Sequence, residues 1–323
     1  QMSKMSYSEA LGTAMKIRMR EDPRVMLFGE DVGIMGGTYG VSQGMAEEFG
    51  TDRVRDTPIS ENAFVGCAVG AAATGLRPIA ELMMGDFITV CMDQIVNQAA
   101  KMRYMFGGNI SVPVVIRMAS GAASSGAAQH SQSLEAWVTH VPGLKVVFPS
   151  TPQDALGLML SAIDDDNPVI FLEGKSLYAK KGEVDSIDPI PLGKGCVVRE
   201  GGDVSVITYG KQVYDAIVAA DMLAKENIQA EIIDLRTLYP LDKELIAQSV
   251  SKTHRVVVVT EENRRGGYGG ELSAMIAEEL FNELDAPVAR IGALNTPTPY
   301  APNQEAYYLP NETDIVNAVK QML

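Results

Sequence analysis

Histidine, cysteine and tryptophan are scarce in this chain: 323 residues include three, three and one of them. His130, His140 and His254 stand in no H-E-x-x-H or other zinc spacing, which argues against a transition-metal site. Cys67, Cys91 and Cys196 are odd in number and lack C-x-x-C spacing, so they read as reduced, mostly buried thiols of a reducing compartment. Net positive charge is missing too. Lys and Arg number 27 against 41 Asp and Glu, a balance of -14 that repels phosphate backbones and makes nucleic acid a poor partner. No run of about 18 apolar residues occurs, so no transmembrane helix is expected. The opening Gln1-Met2-Ser3-Lys4-Met5 has neither a signal core nor an Arg-rich transit pattern, and a cytoplasmic protein is the default expectation.

What is present is an alternation of short apolar runs with helical patterns, the signature of βαβ units and parallel sheets. The expected fold class is α/β. Strands are predicted at 25–28, 77–82, 112–118, 144–148 and 168–172, with helices at 8–20 (Ser8 as N-cap), 61–74, 86–104 and 152–163. Asp185-Ser186-Ile187-Asp188-Pro189-Ile190-Pro191 sustains neither a helix nor a central strand. The predicted organisation is therefore a first domain at 1–181, a linker at 182–203 and a second α/β domain at 204–323. The second domain should hold strands near 204–209, 230–235, 255–260 and 288–291, and a last helix from about Glu312.

Several segments carry candidate chemistry. Glu61 opens a helix that is small and apolar on every side, from Ala63 through Ala73, and a helix of that kind is buried on every side, most easily by a subunit interface. Glu61 is either a first-turn acid behind the N-cap Ser60, favourable to the helix dipole, or a buried carboxyl able to share a proton with a ring nitrogen. His130 follows the Gly-, Ala- and Ser-rich stretch 119–128, a loop able to lie against something large, and is either a proton-transfer group or a structural histidine. Gly40-Val41-Ser42-Gln43-Gly44 matches the G-x-S-x-G elbow and raises a serine hydrolase as the alternative of another class, although no hydrophobic strand directly precedes Ser42. Gly266-Gly267-Tyr268-Gly269-Gly270 is a tight turn or an anion cradle. Asp164-Asp165-Asp166-Asn167 is a solvated corner or a helix end whose carbonyls ligate a cation.

Taken in order, Gly29-Glu30-Asp31-Val32, Asp56-Thr57-Pro58-Ile59-Ser60-Glu61, Gly75-Leu76-Arg77-Pro78, Asp93-Gln94-Ile95-Val96-Asn97, Ala128-Gln129-His130-Ser131-Gln132 and Pro142-Gly143-Leu144-Lys145-Val146-Val147 resemble beta subunits of thiamine-diphosphate-dependent 2-oxo acid and acetoin dehydrogenase components. Asp234-Leu235-Arg236-Thr237-Leu238-Tyr239-Pro240-Leu241-Asp242 and Glu261-Glu262-Asn263 extend the resemblance through the second half. It implies a pyrimidine-binding domain followed by a transketolase C-terminal-type domain, in an assembly of two alpha and two beta subunits, with a lipoyl-bearing acyltransferase core as a further partner. It also implies roles. Glu61 would hydrogen-bond the cofactor's aminopyrimidine, with Phe87 and Met83 packed beside that ring. His130 would face the substrate and the lipoyl group, and Glu30 would sit in a polar connection between paired sites. Val114, Ala162, Ile163, Asp165 and Asn167 match a potassium site of some members. The family's magnesium–diphosphate segment, G-D-G, is absent: Met84-Gly85-Asp86-Phe87 and Gly201-Gly202-Asp203-Val204 each lack one glycine. Magnesium is therefore expected on the alpha subunit. Within the family, 75–83, 86–88, 103–108 and 127–134 look closest to acetoin dehydrogenase beta subunits, with pyruvate as the alternative substrate.

Overall fold

The apolar runs of the first half become neighbouring strands in a computed structural model that describes residues 3–122 and 124–323. Strands β2 (Val25–Gly29), β3 (Val54–Asp56), β4 (Arg77–Leu82), β5 (Val115–Ser120), β6 (Lys145–Val147) and β7 (Val169–Gly174) run parallel in the order β6-β7-β5-β4-β2-β3. Strands buried on both faces read as continuous Val, Ile and Leu runs rather than as alternation. Here β7 is buried along its whole length and β4 from Pro78 onward. A small antiparallel pair joins β1 (Ser3–Ser6) to β8 (Lys181–Val184).

Helix Tyr7–Glu21 is capped by Ser6, not by Ser8 as its sequence suggests. The Glu9 N–H donates to Ser6 Oγ at 3.2 Å and the Ser6 N–H returns to Glu9 Oε2 at 2.7 Å, a reciprocal box that fixes the chain's entry into the helix. Helix Pro152–Asp164 has Thr151 as its cap and Pro152 in its first turn. The single helix predicted at 86–104 is broken. A 3-10 turn at Gly85–Phe87, an α segment at Ile88–Met92, a π segment at Asp93–Ala99 and an α segment at Ala100–Met105 replace it, with Cys91 at a non-helical φ of -119°. A π segment replaces i→i+4 with i→i+5 bonding, a choice of backbone partner that a continuous helical stretch of sequence does not display.

Contacts divide the chain into two compact units. The first comprises residues 1–120 and 137–192, and the second 121–136 and 193–323. Residues 121–136, assigned to the first domain from sequence, thus cluster with the second unit. The linker expected at 182–203 is not wholly irregular either: it contains β9 (Cys196–Arg199), an antiparallel edge of the second sheet. That strand is short and half-exposed, so it lacks the apolar signal of a central strand. With β10 (Val204–Thr208), β11 (Ala230–Asp234), β13 (Val256–Asn263) and β14 (Ala289–Ala293), it builds a five-stranded sheet in the order β14-β13-β10-β11-β9, while the short β12 (Thr237–Tyr239) lies outside that sheet. Helices Gln212–Ala224 and Glu312–Met322 close one core against it, through Ala216, Ala220, Leu223, Ile315 and Val319.

Candidate active site

In the first unit β4, β2 and β3 are neighbours, and each delivers a candidate segment as it leaves the sheet at its carboxyl end. Open α/β sheets present ligand sites at that edge. Glu30 follows β2 directly. The turn after Asp56 of β3 leads to Glu61, and Met83 and Gly85–Phe87 follow β4. The Asp56 carboxylate accepts the Gly33 N–H at 2.6 Å and the Ile34 N–H at 3.3 Å, so the turn after β2 is tied to the end of β3.

Glu61 is buried, with 7% of its surface exposed, and no described residue donates a hydrogen bond to its carboxyl. Glu30 is equally buried at 6%, and its Oε1 has no hydrogen-bond partner. Burial pushes the Glu30 carboxyl above its usual range, and the charges of Glu61, Asp31 and Glu81 push it further. The Cys91 thiol is pushed up to about 12, first by burial and then by the charge of Glu61. Met83 and Phe87 are half-buried after β4. Ser60 occupies the N-cap position of helix Glu61–Ala73 but makes no side-chain cap bond, so the capping expected of it from sequence does not form. The Ser60 carbonyl instead accepts the N–H groups of Ala63 and Phe64.

A second set of buried charges lies in the same sheet. Glu81 and Arg117 are register partners on β4 and β5, and Glu173 lies two residues beyond Phe171, Arg117's partner on β7. A strand period of two therefore turns all three to one face. Arg117, 2% exposed, donates to both Glu173 oxygens at 2.7 Å and to Glu81, and Tyr178 adds its hydroxyl to Glu173 at 2.7 Å. Sequence reading missed this cluster. Its signal was a charged residue inside each of three buried strands, Glu81, Arg117 and Glu173.

The other predicted positions are placed as follows. His130 is exposed, on the 121–136 segment of the second unit. Ser42 is 0% exposed and its hydroxyl donates to the Val32 carbonyl at 2.7 Å, so it is no accessible nucleophile and the elbow reading is withdrawn. Of the proposed potassium ligands, Val114, Ala162 and Ile163 are buried and Asp165 and Asn167 half-buried. The carbonyls of Ile163 and Asp165 accept the Arg77 guanidinium at 3.1 and 3.2 Å, and the Val114 carbonyl accepts the Val169 N–H at 2.9 Å. The three corner aspartates are paired rather than merely solvated: Asp164 with Arg18, Asp165 with Lys145 and Asp166 with Arg77. At Gly266–Gly270, the N–H of Tyr268 receives an anion from the chain itself, the Glu262 carboxylate. Cys67 is exposed rather than buried, as are Asn62, Ala63 and Gly70 on the same helix, so one face of that apolar helix is open in the single chain. No helix among the described residues is long and apolar enough to cross a membrane.

Comparison with known proteins divides the chain in two along the sequence. The family model for the transketolase pyrimidine-binding domain matches residues 3–181, and that for the transketolase C-terminal domain matches 193–315. The beta subunit of acetoin:2,6-dichlorophenolindophenol oxidoreductase from Bacillus subtilis (strain 168) is 47% identical, covering 99% of this chain and 97% of that one. The 2-oxoisovalerate dehydrogenase beta subunit of the same organism is 46% identical over 99% of both. The pyruvate dehydrogenase E1 component beta subunit of Rickettsia bellii is 47% identical over 98% of both. Among solved structures, a split-gene transketolase described as an inactive beta4 tetramer superposes with a TM-score of 0.79 at 25% identity, covering 99% of this chain and 98% of that one.

Proposed function

Because the chain belongs to the beta subunits of thiamine-diphosphate-dependent 2-oxo acid and acetoin dehydrogenase components, we propose that it forms half of an active site that cleaves acetoin and passes the two-carbon unit to a lipoyl group. The observation that carries the reading is Glu61, a buried carboxyl without a donor among the described residues. A group in that state suits a ring nitrogen with which it shares a proton. Thiamine diphosphate, when bound, supplies the carbon nucleophile. Glu61 holds the proton at the aminopyrimidine, Phe87 and Met83 supply the apolar wall, and Glu30 supplies a second acid whose proton Glu61's charge helps to retain. His130 serves the substrate and the incoming lipoyl group.

The diphosphate and its magnesium fall to an alpha subunit, since this chain has no G-D-G segment. The open face of helix Glu61–Ala73, with exposed Ile34 and Ile59, supports a subunit partner in that place. An acyltransferase core is the partner that the lipoyl chemistry requires. The fit to potassium is poor, because Arg77 already places a cation on two of the expected carbonyls. Three cysteines outside any disulfide, Cys67, Cys91 and Cys196, support a reducing, cytoplasmic setting.

Purified with its alpha partner, the protein is expected to reduce a dye acceptor with acetoin in preference to pyruvate. The Glu61→Gln variant is expected to lose activity by about two orders of magnitude or more, the scale of a lost proton-transfer group, while the complex still assembles. Near-normal turnover by that variant removes Glu61 from the reaction, and a preference for pyruvate moves the substrate assignment to the pyruvate branch.

A further inference from the structure

We propose that Glu261, Glu262 and Glu305 form a carboxylate clasp that positions the loop carrying His130, acting on the transfer reaction through that loop and not on the cofactor. The proposal deepens the function given above, since it rests on His130 serving the substrate and lipoyl group. All the groups involved lie in the second unit.

The loop closes on itself where the Gly121 N–H meets the Gln132 carbonyl at 3.2 Å. Each end is then held by one of two consecutive residues of β13. Glu261 Oε1 accepts the Ala122 N–H at 2.8 Å, and Glu262 Oε1 accepts the Ala136 N–H at 3.1 Å. Between them, both oxygens of Glu305 accept the Ser125 N–H, at 3.2 and 3.3 Å. Glu262 is 3% exposed and Glu305 is also buried. Carboxylates withdrawn from water carry a desolvation penalty, and bonds from backbone N–H groups offset it only when the geometry is held.

Two features show that the loop's shape is imposed. A side chain at Gly121, where φ is +88°, would bring its Cβ within 2.5 Å of Glu261 Oε1, so only glycine lets that carboxylate reach the next N–H. Ser125 and Ala127 take φ values of +53° and +60°, a left-handed conformation unfavourable to L-residues, and such strain persists where surrounding contacts over-determine it. Loops that present a reactive side chain are usually the more mobile parts of a domain. Here three acids from β13 and helix Pro302–Tyr308 remove that mobility next to His130.

Glu262 also accepts the Tyr268 N–H and shares a hydrogen bond with Glu135 at the loop's end. Burial pushes its carboxyl up to about 7, and the groups facing this pair are Tyr209 after β10, Tyr268, Glu261 and Tyr308.

The test uses the full chain with its alpha partner. In Glu261→Ala and Glu305→Ala, amide exchange across 121–136 is expected to accelerate about tenfold or more, the scale of one lost charge-assisted bond, with the rest of the second unit unchanged. Dye reduction with acetoin should lose a similar factor in kcat while cofactor affinity holds. Glu261→Gln keeps an acceptor oxygen and should restore most of both. Unchanged exchange across 121–136 in both alanine variants overturns the clasp, as does a Gln variant as impaired as the Ala one. His130→Ala separates the two readings: normal acyl transfer in that variant refutes the role given to His130, whereas the exchange result decides the clasp by itself.

Discussion

Two sets of buried acids lie in the first unit and are treated in opposite ways. Glu81 and Glu173 are matched by Arg117, bidentate to Glu173, and by the Tyr178 hydroxyl, so the charge brought into the sheet is compensated there. Glu30 and Glu61 are also buried, yet Glu30 Oε1 has no partner and no described residue donates to the Glu61 carboxyl. A fold under selection for stability alone would not leave two acids in that state, because a polar group taken out of water without a hydrogen bond costs free energy. The matched set lies within the strands and braces them. The unmatched pair lies just past the strand ends, where a ligand can complete it.

Removing the brace should produce the largest change. Arg117→Met leaves Glu81 and Glu173 buried without their cation, a loss of about 3–5 kcal/mol. For a unit of this size that lowers Tm by roughly 10 °C, measurable by thermal or urea unfolding. The triple variant Arg117→Met, Glu81→Leu, Glu173→Leu should be less damaged than the single one, because burying no charge is better than burying two unpaired ones. If the single variant is as stable as the parent, the distinction between matched and unmatched acids collapses.

Emptying the unmatched pair should have a smaller effect of opposite sign. The Glu30 carboxyl is raised in the folded state, so at pH values between its unfolded and folded pKa the native chain holds more protons than the unfolded one. Stability therefore declines as pH rises through that window and stays reduced above it. Glu30→Gln should match the parent below the ordinary carboxylate range, exceed it at higher pH and flatten the slope of Tm against pH between them, while dye-linked activity falls. A parallel slope in both proteins would show that Glu30 is not the acid responsible.

Some of this was visible in the sequence. The strand at 77–82 and the helix opening at Glu61 follow from apolar runs, and Pro152 and Glu312 mark helix starts where they occur. The roles given to Glu61, Met83 and Phe87 come from a resemblance over the whole chain, and the three residues follow β3 and β4 past the strand ends. Periodicity could not reveal what depends on contacts distant in sequence. Arg117 meets acids 36 and 56 residues away, and the 121–136 loop is fastened by residues more than a hundred positions later. Short edge strands such as β9 were lost for another reason: a half-exposed strand carries no continuous apolar signal.

The smallest expected effect carries the same contrast to two helix starts. Ser6 and Ser60 both stand at an N-cap, and both precede a first turn that contains an acid. Ser6 makes the reciprocal box with Glu9, which backbone bonding holds below its usual pKa range. Ser60 makes no cap bond and leaves the opening to its own carbonyl. Ser6→Ala should therefore cost about 1 kcal/mol of stability, the ordinary value of a lost cap. Ser60→Ala should stay within about 0.5 kcal/mol, as for a substitution that removes no bond. Urea unfolding of the two variants side by side measures the difference. Equal losses would mean that the Ser60 hydroxyl does cap its helix in solution, and the first turn at Glu61 would then be finished by the chain itself, with less reason for its carboxyl to await a ligand.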